Sequence, residues 1–122
     1  MRFTQDSTSG LNLIRGYTPG ELKINDAVYR SAVIVSPSAI VAAPPIAGVE
    51  ELTPAHAADV CALEPEVVLL GTGARQIFPA NFFGAEFLRA GIGFEVMDTA
   101  AACRTFNVLV SERRRVVALL LP

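Results

Sequence analysis

The sequence predicts an α/β fold: a three-layer single domain with a central mixed β-sheet, helices against it and an N-terminal antiparallel β-meander. Three observations predict it. Val67-Val68-Leu69-Leu70 is a short branched apolar run that breaks into Gly71-Thr72-Gly73, the pattern of a strand buried on both faces and closed by a tight turn. From there to the C-terminus, strand-like and helix-like segments alternate as β-α-β-α-β, an order that packs as a largely parallel sheet. Ahead of it, Leu13 to Val35 is extended in character and punctuated by turns, so antiparallel strands join the parallel ones.

In chain order, residues 1–12 are polar and lack apolar periodicity until Leu11, which predicts a loose N-terminal arm. Thr18-Pro19-Gly20 and Asn25-Asp26 are turn signals, because Pro and Gly preset the required dihedrals and Asn and Asp tolerate them. Val28 to Val35 supplies the branched and aromatic types that suit a pleated surface. Ser36-Pro37-Ser38 ends that stretch, and Ala39 to Ala42 adds a short edge strand that Pro44-Pro45 terminates. Thr53 followed by Pro54 is a helix start, and Pro65 a stop. A second helix is predicted over Pro79 to Ala90, with Phe83, Phe87 and Ala90 on one side and Gly91 ending it. Gly93 to Met97 is the next strand. Asp98-Thr99 begins a third helix to about Glu112, with Cys103 and Phe106 on its inward stripe, and Val116 to Leu121 is the last strand.

Composition narrows the functional classes. The chain has 122 residues, 52% of them hydrophobic and only 18% charged, with a mean hydropathy of +0.44. That excess favours a sheet covered on both faces or a surface buried in an oligomer. A net charge of −2 lacks the broad basic face that phosphate backbones require, so no nucleic-acid partner is expected. The longest greasy window, Ala39 to Val49, is broken by prolines and falls short of the ~20 residues of a membrane span. The polar, acid-containing start lacks the apolar stretch of a secretory signal, and a cytoplasmic location is expected. Cys61 and Cys103 match no paired ligand spacing, so neither a disulfide, a metal site nor a cofactor is implied.

Candidate chemistry gathers at two strand ends. Ligands of open α/β sheets sit beyond the carboxyl ends of strands, where helix N-termini favour anions. If the strands at Val67 and Gly93 are neighbours, Gly71, Thr72, Gly73 and Arg75 face Asp98 and Thr99 across one crevice, with Cys103 one turn further along the third helix. The glycine loop lacks the third glycine of a dinucleotide fingerprint, since Gln76 stands there. It reads either as a plain tight turn or as a small-anion site. Cys103 near a helix start raises a nucleophilic thiol as the alternative to a packed core residue, and His56 reads as a surface residue. Capping alone explains Asp98. Asn107, a poor helix former, is expected to bond a neighbouring loop or to line the crevice beside Arg104 and Ser111. Arg113-Arg114-Arg115 reads as a solvated turn whose cations complement the helix dipole, or as a site for an acidic partner.

The run Met97-Asp98-Thr99-Ala100-Ala101-Ala102-Cys103-Arg104-Thr105-Phe106-Asn107-Val108-Leu109, preceded by Leu70-Gly71-Thr72-Gly73, resembles the Mth-domain family. This small family is catalogued as a domain of unknown function and includes mitochondrial respiratory complex I assembly factor 3 and an adipogenesis-associated protein. The resemblance implies a three-layer fold around a mixed sheet, no established reaction, and a partner-binding role. It also implies that Gly71, Gly73, Asp98, Thr99, Cys103, Arg104 and Asn107 form one cluster. The leading expectation is therefore a non-enzymatic binding or assembly-type protein, with a protein partner or a second copy of itself. The alternative is a small-anion or small-molecule binding protein, or weak enzyme, using the crevice.

Overall fold

The computed structural model describes residues 10–43 and 45–122. Most of the expected N-terminal arm lies outside the described residues, and so does Pro44.

Two sheets form. β1 (Ile14–Thr18), β2 (Glu21–Ile24) and β3 (Ala27–Tyr29) make an antiparallel meander. β4 (Val33–Val35), β5 (Ile40–Ala42), β6 (Val67–Thr72), β7 (Gly93–Met97) and β8 (Val116–Leu121) make a five-stranded mixed sheet in the order β5-β4-β8-β6-β7. β8, β6 and β7 run parallel, while β4 is antiparallel to both β5 and β8.

The meander predicted to reach Val35 stops at Tyr29. The chain then crosses to the central sheet, because Val33, Ile34 and Val35 are apolar in succession and all three are buried. A strand buried on both faces belongs inside a covered sheet, not in a three-stranded flap.

The helices are α1 (Pro54–Cys61), α2 (Asn81–Arg89) and α3 (Thr99–Ser111). α3 has the predicted bounds, whereas α1 and α2 are shorter than their sequence patterns suggest. Ala80 is still extended before α2, and the chain leaves α1 through Glu64 at positive φ. At the start of α1, the Thr53 N–H donates to His56 Nδ1 at 2.9 Å, so an imidazole takes the place of the usual carboxylate in the capping exchange.

The central sheet separates two cores. On one face Ile34, Val68, Leu70, Val117 and Leu119 pack under α1 and α2, where Phe83 and Phe87 are wholly buried. On the other, Val33, Val35, Leu69, Val116, Ala118 and Leu120 pack against α3 and the meander through Phe106, Val110, Leu22 and Ile24. The alternation along β4, β6 and β8 is the period-two pattern of a sheet with both faces covered.

Candidate functional site

The strand ends that the sequence singles out do meet. β6 and β7 pair in parallel, with Gly71 opposite Met97, so the turn after β6 stands beside the start of α3. Asp98 caps that helix, its Oδ1 accepting the Ala101 N–H at 2.8 Å.

Thr99 then joins three elements. Its hydroxyl accepts the Gly73 N–H at 2.7 Å and donates to the Leu121 carbonyl at 2.6 Å, while its own N–H donates to the Gly73 carbonyl at 2.9 Å. Thr99 is fully buried. Gly71 is where it is because nothing larger fits: a Cβ there would stand 3.1 Å from the Thr99 Cα. Gly73, at φ +95, takes a turn conformation that side chains resist. Thr72 is held as firmly, its hydroxyl donating to the Arg75 carbonyl and accepting the Ile77 N–H at 3.1 Å.

The junction is therefore closed and internally satisfied. The Gly73 amide that an anion would use is engaged by Thr99, and Arg75 lies exposed on the loop outside.

Cys103, Arg104 and Asn107 take no part in that hydrogen-bonded junction. With Ile14, Gly16 and Tyr17 they line a small cavity of about 220 Å³ between α3 and β1. Asn107 holds the strand to the helix: its Oδ1 accepts the Ile14 N–H at 2.9 Å and its Nδ2 donates to the Ile14 carbonyl at 2.8 Å. A mid-helix asparagine thus behaves as a strand neighbour, satisfying both backbone groups of one residue. The Tyr17 hydroxyl is buried at this cavity without a hydrogen-bond partner among the described residues.

Burial pushes the Cys103 thiol up to about 11, with only partial opposition from the Arg104 charge. Proximity to a helix start had suggested the opposite direction. The thiol is 6% exposed and sits in the core behind α3, where desolvation outweighs the dipole.

Two surfaces carry features the sequence did not assemble. One is an apolar cleft of about 430 Å³ between α2 and β7, lined by Phe78, Ala85, Leu88, Phe94 and Val96 among others. Phe78 is 71% and Leu88 68% exposed there. Of the adjacent pair, Phe82 is exposed and Phe83 wholly buried. The other is a larger cavity at the opposite end of the sheet, beside the arginine run.

The profile of a family described as "Protein of unknown function (DUF498/DUF598)" matches residues 14–121. The chain belongs to this family. A crystal structure of a Bordetella parapertussis family protein superposes with a TM-score of 0.86 at 36% identity, covering 93% of this chain and 98% of that one. A Bartonella henselae protein described as an outer membrane protein superposes with a TM-score of 0.78 at 30% identity, over 92% of this chain and 95% of that one. The zebrafish NADH dehydrogenase [ubiquinone] 1 alpha subcomplex assembly factor 3 is 48% identical over 62 residues, which are 49% of this chain and 36% of that protein. No helix among the described residues is long and apolar enough to cross a membrane.

Proposed function

We propose that this family member is a non-enzymatic binding protein of the assembly-factor kind, which takes an extended segment of a partner polypeptide along β7. One observation carries the reading: an exposed apolar strip lies beside a sheet edge that no further strand covers among the described residues. β7 ends the five-stranded sheet, so one row of its backbone donors and acceptors faces away from β6, with the Val96 carbonyl accepting from Gln76 Nε2 at 2.9 Å, and the α2 cleft opens next to it. An added strand would bond the remaining groups of that row and displace the Gln76 amide, while its alternate side chains would enter the cleft beside Phe78 and Leu88. The assembly-factor name of the zebrafish relative supports a protein partner.

The edge also selects the partner's chemistry. Glu95, exposed at the middle of β7, points to the face opposite Phe94 and Val96. A segment with apolar residues at i and i+2 and a Lys or Arg between them matches both faces. A second copy of this chain does not: antiparallel pairing centred on β7 sets Glu95 against Glu95, a destabilising like-charge pair.

The test titrates the full chain with a short Val-Lys-Val-containing peptide and its Val-Glu-Val counterpart, followed by amide NMR. Shifts confined to β7 and α2, weaker for the glutamate peptide and abolished by Phe78→Asp with Leu88→Asp, are expected. Absence of shifts at millimolar peptide, or equal response to both peptides, refutes the reading. A concentration-dependent dimer abolished by the same two substitutions would assign the edge to a second copy instead.

A further inference from the structure

A cavity of about 520 Å³ lies at the end of the sheet where β8 begins and β4 ends, opposite the closed Gly71–Thr99 junction. Its size falls within the ~300–1,000 Å³ of small-molecule sites. Its apolar lining comes from the half-buried Leu11 and Leu63, with the buried Val110 and Val116 behind them, and its rim carries Arg113, Arg114 and Arg115 with Ser36 and Glu64.

The three arginines are not equivalent. Arg114 is spent on Glu66, Nε to Oε2 at 3.1 Å, and Arg115 N–H and Arg114 together hold the Glu66 carboxyl below its usual range. The Arg115 Nε reaches the Glu64 carbonyl at 3.3 Å and leaves the rest of its guanidinium at the rim. Arg113 forms no ion pair among the described residues.

The backbone gives an independent sign. Three non-glycine residues take positive φ among the described residues: Asn25, Glu64 at +56° and Arg113 at +61°. Asparagine accepts that region readily, whereas Glu and Arg do so at a cost. Both of the latter line this cavity. Arg113 closes α3 in a Schellman turn, with Arg113 N–H to the Val110 carbonyl and Arg114 N–H to the Leu109 carbonyl, both at 3.0 Å. Glycine is the usual occupant of that position, and an arginine held there in strain, with its side chain at a cavity rim, serves something other than the turn.

We propose that this cavity binds a small amphipathic anion, a carboxylate on an apolar body, with the carboxylate on Arg113 and Arg115 and the body over Leu11 and Leu63. A guanidinium fork suits a carboxylate, and the apolar lining beside it takes the body out of water. The proposal is independent of the β7 surface.

Calorimetric titration of the full chain with octanoate tests it, with octanamide as the neutral isostere and inorganic phosphate as a headgroup without a body. Amide NMR locates the site. Octanoate is expected to shift the amides of 110–117 and 36–39 and to bind about tenfold or more tightly than octanamide or phosphate. Arg113→Gly relieves the strained backbone, so it should leave the melting temperature equal or higher while weakening octanoate about tenfold. Glu64→Gly relieves the same kind of strain and removes a negative charge, so affinity should hold or rise. The proposal is overturned by no shifts at millimolar octanoate, by octanamide or phosphate binding equally well, by unchanged affinity in Arg113→Gly, or by Glu64→Gly losing as much as Arg113→Gly.

Discussion

Replacing Thr99 by Val keeps the side-chain shape and removes only the hydroxyl, so it isolates the polar contribution of the strand–helix junction. Two buried groups lose their partner at once, the Gly73 N–H and the Leu121 carbonyl, in a place with no access for water to substitute. An unsatisfied buried donor or acceptor costs about 1–3 kcal/mol, so the expected loss for the two is roughly 2–6 kcal/mol. With an unfolding entropy of ~2.1 cal/mol/K per residue, a chain of 122 residues should melt about 8–23 °C lower. Thermal and urea unfolding followed by circular dichroism read this out, with the urea slope unchanged if only stability moves. Thr99→Ser restores the oxygen and should recover most of the loss, leaving about 1 kcal/mol for the missing methyl. A Thr99→Val protein that melts within about 2 °C of the parent would refute the reasoning, because the hydroxyl would then not be the element closing the junction.

Asn107→Ala should cost about 1–3 kcal/mol and speed hydrogen exchange at the Ile14 amide, since both backbone groups of Ile14 lose their side-chain partner; unchanged exchange there would show that β1 is anchored otherwise. Cys103 sets a pH dependence on the alkaline side. Its thiol titrates near 9.0 unfolded and about 11 folded, so its contribution is complete below pH 9 and is lost as pH rises toward 11, by up to roughly 2–3 kcal/mol. Cys103→Ala should flatten that decline in alkaline urea titrations, and an identical slope in both proteins would contradict it. The native thiol should likewise resist alkylation at neutral pH.

Much of the fold is legible in residue order, for identifiable reasons. Val116 to Leu121 is an unbroken apolar run and forms a strand with those bounds. Asp98 sits directly before an apolar-periodic stretch and caps α3. Local signals of this kind depend on the residues next to each other. The end of the meander at Tyr29 was not legible, because Val28 and Val33 have the same strand propensity and only their neighbours assign them to different sheets. The strand ends at Gly71 and Asp98 face one another only because β6 and β7 are neighbours, a pairing that residue order leaves open, and their composition does not say whether the space between is open. Thr99 fills it, and the fit depends on a hydroxyl reaching two strands at once. The α2–β7 cleft went unassembled because Phe78, Leu88 and Val96 belong to three separate segments with no shared periodicity.

By itself the sequence determined the alternation of strands and helices from Val67 onward, the mixed character of the sheet, and the Gly73 turn and Asp98 cap, all of which follow from steric and hydrogen-bonding preferences acting over a few residues. Tertiary structure alone decided which polar groups are consumed inside and which face outward. A buried hydroxyl, a strained arginine and an outermost strand acquire meaning only from what the rest of the chain places within a few ångströms of them, because desolvation and hydrogen-bond satisfaction depend on distance in space and not on separation along the chain.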